Sequence, residues 1–316
     1  MTSSNRPRKT WVAASELLFA TSIWGFGFTA TIWALRSFDT ITITVGRFAI
    51  AFIFGAVMLS VNPRTRDRLN LRTMRMAFWP GIFLGLTLLL QTWGLEYTSA
   101  TNSSFITTLY VVFVPLIEIA LLRRANASDS SGAHGARRTL RIGPLHFIWV
   151  AIALIGTGLM VNLQLGHFNL GDALTLVCSL SAGLQIIMIG RHGSRIESPF
   201  AYNVFQSLWA ALVAILFVPI YPHHYIRSPD WHALVGVISL TFGSTLIAFF
   251  LQVKAQKTLS ASLSSLIFLL ESPFASFFAF LLLGEKISML QALGGVLIFL
   301  SAYGATKNGF AARDSE

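Results

Sequence analysis

Charge is what this sequence has least of. Only 11% of its 316 residues are Asp, Glu, Lys or Arg, against 54% hydrophobic, and a soluble globule of this length needs far more polar surface. A mean hydropathy of +0.66 agrees. Thiols are as scarce: the single cysteine, Cys178, lies in an apolar run. That excludes an intrachain disulfide and a thiolate metal site, and leaves a small buried hydrophobe. No GxxxxGK[ST] stretch is present, so the chain has no Walker A cradle for ATP phosphates. The seven histidines (His134, His146, His167, His192, His223, His224 and His232) fall in loops or near the ends of apolar runs, with no HExxH and no clustered carboxylates. This argues against an intramembrane metalloenzyme, and no cofactor or metal is expected. Acidic residues number 13 against 23 basic, a net charge of +10. Nucleic-acid binding needs such basic residues on one face beside base-stacking aromatics. Here they lie between apolar runs, so no nucleic-acid partner is expected and the charge is read as orienting helices in a bilayer.

What is plentiful is apolar length. Ten runs qualify as spans, about 11–33, 41–61, 76–95, 98–122, 145–163, 170–190, 199–221, 232–252, 258–283 and 288–306. Hydrocarbon offers backbone amides no partner, so each run must be helical; barrel strands would alternate every second residue, and these do not. The expected fold class is therefore an all-α integral membrane protein of ten transmembrane helices. The first run follows Arg6, Arg8 and Lys9 as a secretory signal would, but it is long enough to cross a bilayer, about 20 residues, and no small-residue cleavage site follows, so cleavage is not expected.

Basic residues set the orientation, because cytoplasmic loops collect Lys and Arg. With residues 1–10 and 307–316 as cytoplasmic tails of a plasma (inner) membrane protein, 19 basic residues fall on the cytoplasmic side. Only Arg36, Arg227 and Lys286 fall on the other, and Arg47 lies within a span. The longest connection, 123–143, contains NASDSSGAHGA, too polar to bury a core, and reads as a flexible cytoplasmic linker. It sits between the fourth and fifth spans, so residues 11–122 with 145–163 form a first five-helix repeat and 170–306 a second. Gly85, Thr87, Leu88, Ser104 and Pro115 recur 158 residues later as Gly243, Thr245, Leu246, Ser262 and Pro273. Five helices per copy is an odd number, so the copies enter the membrane from opposite sides. Inverted repeats of this kind mark secondary transporters that expose a midplane site alternately to either face.

The Trp24-Gly25 pair, the run QTWGLEYTSATNSSFITTLYVVFVP and the run LLESPFASFFAFLLLGEKISMLQALGGVLIFLSAYG resemble the drug/metabolite transporter superfamily, specifically its EamA-type ten-helix members. The resemblance covers nearly the whole chain. It implies carriers of amino acids, other metabolites or drugs, with a central cavity lined by helices one, three, four, six, eight and nine and with helices five and ten peripheral. The second half departs from the pattern, with Leu180 and Ser181 in place of the Trp-Gly pair.

Charge inside a span costs about 2.5–3.5 kcal/mol at its centre, so each such residue asks for a reason. Glu271 lies roughly 20 Å in from Thr258, too deep for a short carboxylate to reach water. With Ser260, Ser264 and Phe268 it forms one helical stripe, and it is open to a substrate or proton role or to a structural one. The matching stripe in the first copy is Asn102, Ile106, Tyr110 and Phe113, which offers an amide and a phenol for a small substrate or for packing. Arg47, roughly 9 Å deep, either pairs with Glu271 as a gate or snorkels toward Asp39 or Glu96. Trp24 and Phe28 among Gly25 and Gly27 either wall a cavity or pack. Of the midspan amides Gln91, Gln185 and Asn203, the resemblance favours Gln91 and Gln185, since it implies that their helices line the cavity. Glu16, Glu118 and Asp172 sit near span ends and are read as stabilising helix termini or interfaces rather than binding substrate. Pro115 and Pro273 are expected to bend their helices at equivalent places, as hinges or as static kinks. The residues thus suit a secondary carrier of small amphipathic molecules, exporter or facilitator, with a non-transporting membrane subunit as the rival. Oligomeric state is not legible.

Overall fold

The computed structural model describes residues 10–62, 65–128, 144–160 and 169–314. Among them every regular element is helical, and the one pairing of extended residues is an isolated bridge between Phe38 and Ile226. Eight helical stretches are long and apolar enough to cross a bilayer, which makes this a multi-pass membrane protein. In chain order the helices are α1 (Thr10–Ala34), α2 (Thr40–Val61), α3 (Leu71–Met76), α4 (Phe78–Gly94), α5 (Ala100–Thr107), α6 (Tyr110–Ser128) and α7 (Pro144–Met160). There follow α8 (Leu170–His192), α9 (Pro199–Leu216), α10 (Trp231–Ile238), a π segment (Ser239–Ala248), α11 (Phe249–Gln256), α12 (Ala261–Phe268), α13 (Glu271–Leu283) and α14 (Met289–Asp314). The remaining two of the ten expected runs correspond to α4 and α7, with 17 described residues each, the lower end of what a crossing needs. The expected linker at 123–143 lies largely outside the described residues.

Three expected spans differ at their ends or middles for visible reasons. The run 199–221 is helical only to Leu216, because Val218 precedes Pro219 and the residue before a proline is pushed out of the helical region. The run 98–122 is two helices, with a break at Thr108 and Leu109. Here hydroxyls compete with the backbone ladder: Ser104 donates to the Thr101 carbonyl, Thr107 to Ser103 and Thr108 to Phe105, at 2.7–2.8 Å. The run 258–283 breaks likewise at Leu269 and Leu270. The ring of Pro273 would collide with the carbonyl four residues back, that of Leu269, which places this break. Pro115 lies inside α6, beyond its own break, so the two prolines do not act at equivalent places.

The breaks also reset the internal register. Ser99 caps α5 by accepting from Asn102 N, and Ser260 caps α12 by accepting from Leu263 N. Helices α5 and α12 both run for eight residues and begin 161 residues apart, at Ala100 and Ala261, and α6 and α13 restart at Tyr110 and Glu271, again 161 apart. These two pairs of elements are 161 residues apart, a separation that sets Trp24 and Gly25 against Gln185 and Ile186. Helix α1 runs through the middle of the bundle, against α10, the π segment, α11 and α13, while α7 packs on α14 at the periphery.

Candidate functional site

A partly open central cavity lies among the helices, about 580 Å³ with the space open to solvent included. Its walls come from α1 (Trp24, Gly27, Thr31), α2 (Arg47), α4 (Leu84, Thr87, Leu88, Gln91), the α5–α6 break (Thr107, Tyr110), α8 (Ala182, Gln185, Ile186), the π segment with α11, and the α12–α13 break (Phe268, Glu271). The 161-residue register pairs ten of these residues: Trp24 with Gln185, Leu88 with Phe249, Gln91 with Gln252, Thr107 with Phe268, and Tyr110 with Glu271. Both breaks therefore deliver the first residue of their second half-helix to the same space.

The cavity is aromatic on one side and rich in amides on another. Trp24 packs against Phe249 at 4.9 Å and edge-on to Phe268 at 5.3 Å, and Tyr110 meets Phe268 at 6.4 Å. The Trp24 Nε1 is buried with no hydrogen-bond partner among the described residues, while the Tyr110 hydroxyl faces the Glu271 carboxylate across the two breaks. Gln91 donates to Thr107 Oγ1 at 3.1 Å. Gln185 donates to Gln206 Oε1 at 3.2 Å, and Gln252 returns a bond to Gln185 Oε1 at 2.9 Å.

Of the residues singled out from the sequence, Trp24, Arg47, Gln91, Tyr110, Gln185, Phe268 and Glu271 line this cavity. Phe28 does not; it packs with Leu95, Ala100, Ala275 and Ala279. Asn102 sits in the first turn of α5 and donates to Asp172 Oδ1 at 2.6 Å and Thr98 Oγ1 at 2.8 Å. Ser264 is buried but is not part of the lining. Arg47 neither snorkels toward Asp39 or Glu96 nor pairs with Glu271: its Nε donates to Thr245 Oγ1 at 3.0 Å and its Nη2 to Ser244 Oγ at 2.8 Å. The reason is that both carboxylates have other donors. Asp39 caps α2 and accepts from Tyr225 N, and Glu96 accepts from Thr40 and Tyr221. Asn203 stands apart from the pathway and donates to the carbonyls of Thr245 and Leu246 in the π segment. Among the span-end acids, Asp172 forms a capping box with Asn169, Glu16 pairs with Lys254 at 2.8 Å, and Glu118 accepts from Ser262. Gln252, Thr87, Ser244 and Phe249 were missed. A register of 161 would have found Gln252 as the counterpart of Gln91.

At one end of the bundle Glu96 ties three elements together, accepting from Thr40 Oγ1 and Tyr221 hydroxyl at 2.5 Å each. Burial and the Glu96 carboxylate push the Tyr221 phenol above its ordinary range, and burial with Glu96 does the same to Tyr225. A raised folded value stabilises the protein below the unfolded phenol's pH of about 10 and is lost as pH climbs beyond it. Thermal unfolding in detergent should therefore show stability falling above about pH 10. Tyr221→Phe should flatten that fall while costing roughly 1–3 kcal/mol at neutral pH, because Glu96 loses a donor; an unchanged alkaline slope would remove Tyr221 as its source.

Helices long and apolar enough to cross a membrane, packed around a cavity of mixed polar and aromatic lining, define a multi-pass membrane protein. The chain matches the EamA-like transporter family over residues 12–126 and 169–306 and belongs to that family. It is 29% identical over 282 residues to an uncharacterized transporter of Archaeoglobus fulgidus, a match spanning 88% of this chain and 80% of that protein. A protein of known crystal structure, 17% identical, shares the fold with a TM-score of 0.68 over 97% of this chain and 99% of its own.

Proposed function

We propose that this membrane transporter is a secondary carrier of small amphipathic molecules, amino-acid-like compounds or drugs, working by alternating access as an exporter or facilitator. In this reading ten helices cross the plasma membrane as two inverted five-helix repeats, with both termini in the cytoplasm. The observation that carries it is the pairing of ten cavity residues at one separation, 161. A site built from matching positions of two copies, each entering from its own face, is the arrangement that lets one half rock against the other. The broken helices support it, since irregular backbone at membrane depth is tolerated where it lines a cavity.

Transport of amphipathic amino-acid-like solutes into liposomes containing the purified protein, with and without a pH gradient, tests this. Flux should exceed that of empty liposomes, and Ala182→Trp, which places a bulky ring in the cavity wall, should bring it to background while the protein still inserts. Flux indifferent to that ring would mean that solutes do not pass through this cavity.

A further inference from the structure

Arg47 is a buried cation without a countercharge. It is 2% exposed, and the atoms that hold it are neutral oxygens of the π segment: Thr245 Oγ1 on Nε, and Ser244 Oγ at 2.8 Å with the Leu240 carbonyl at 3.3 Å on Nη2. Thr245 Oγ1 in turn donates to the same Leu240 carbonyl at 2.8 Å, so the widened turn grips one edge of the guanidinium as a fixed fork. Asn203 braces that turn from behind. A guanidinium has five N–H donors. The two on Nη1 meet no protein acceptor among the described residues, and the residue lines the cavity. Beside it Gly27 leaves room, since a Cβ there would come no nearer than 3.9 Å to Leu240 or Ser244. The position 161 residues on is Leu208, so this charge is confined to one side of an otherwise paired site.

Holding a lone cation in a membrane interior is expensive unless something completes it. A planar oxyanion fits the free edge of an arginine better than any other small group. We propose that this edge of Arg47 is an oxyanion subsite and that the carried solute presents a carboxylate to it, its apolar part lying against Trp24, Phe249 and Phe268. This rests on the carrier reading and names the solute's polar end. The alternative partner is Glu271, which lines the same cavity with no ion pair to Arg47.

Calorimetric titration of the full-length protein in lipid nanodiscs with acid and amide pairs, 4-phenylbutyrate with 4-phenylbutanamide and hexanoate with hexanamide, tests the subsite. The acids should bind about tenfold or more tightly than their amides. Arg47→Gln should erase that preference, and Arg47→Lys should keep part of it, because it retains the charge and loses the fork. Equal binding of acid and amide by the unaltered protein overturns the subsite even if Arg47→Gln fails to fold. So does a preference that survives Arg47→Gln, or inorganic phosphate or chloride binding as tightly as phenylbutyrate, which would mark an inorganic ion site. A wild-type protein without preference whose Arg47→Gln defect in flux is repaired by adding Glu271→Gln would make Arg47 the partner of Glu271 instead. The two readings fail separately: equal binding with flux still blocked by Ala182→Trp sinks the subsite and spares the carrier, whereas a carboxylate preference without flux does the reverse.

Discussion

Gly25→Ala should cost about 3 kcal/mol of stability, the upper end of what overpacking a core costs. A Cβ at this position would stand 2.4 Å from Phe274 Cβ and 2.8 Å from the backbone nitrogen of Ala275. Neither can move without shifting α13 as a body, and α13 carries Glu271 into the cavity. Helix propensity works the other way, since Ala is preferred over Gly in a helix interior by about 1 kcal/mol, so the clash decides the sign. Gly27→Ala, two residues along the same helix, is the matched control: its nearest contacts are 3.9 Å away, and its stability should be unchanged or higher by up to about 1 kcal/mol. Unfolding in mixed micelles monitored by helix content measures both. Equal stability of the two variants would show that α1 and α13 are not in this close contact.

We propose that Glu271 carries the proton if transport is driven by a pH gradient: Glu271→Gln should then remove that accumulation while leaving solute exchange intact. The side chain is buried, lines the cavity, and has no ion-pair partner among the described residues. Glutamine keeps its size and its hydrogen-bonding capacity near Tyr110 but cannot take up and release a proton. One coupled proton is worth about 1.4 kcal/mol, a factor of about ten, per unit of pH gradient, so accumulation should fall by about that factor for each unit imposed. Liposomes loaded with counter-solute separate the two modes: accumulation unchanged in the variant would take Glu271 out of coupling, and loss of exchange as well would make it a binding residue.

The long apolar runs announced a helical membrane protein, because hydrocarbon leaves the backbone no other way to satisfy itself. Glu271, Trp24, Gln91 and Gln185 were legible for a related reason: polar or amphipathic groups deep in a span need a purpose, and a cavity supplies one. Phe28 and Asn102 lay beyond that logic. A phenylalanine on a helix that is apolar all round gives no sign of which side meets the cavity, and an amide in a first turn is as useful to a neighbouring helix as to a solute. The scattered identities recur 158 residues apart, whereas the serine caps and the helix breaks, which only the tertiary structure shows, recur at 161.

By itself, then, the sequence determined the membrane, the helices and the depth of the charges, since each depends on local apolar length and on the cost of removing a charge from water. Only the tertiary structure decided which of those groups meet. Arg47 turned inward because Asp39 and Glu96 were already bonded elsewhere and the π segment offered three oxygens at the right spacing. That choice is set by contacts almost 200 residues apart in the chain, which no local pattern records.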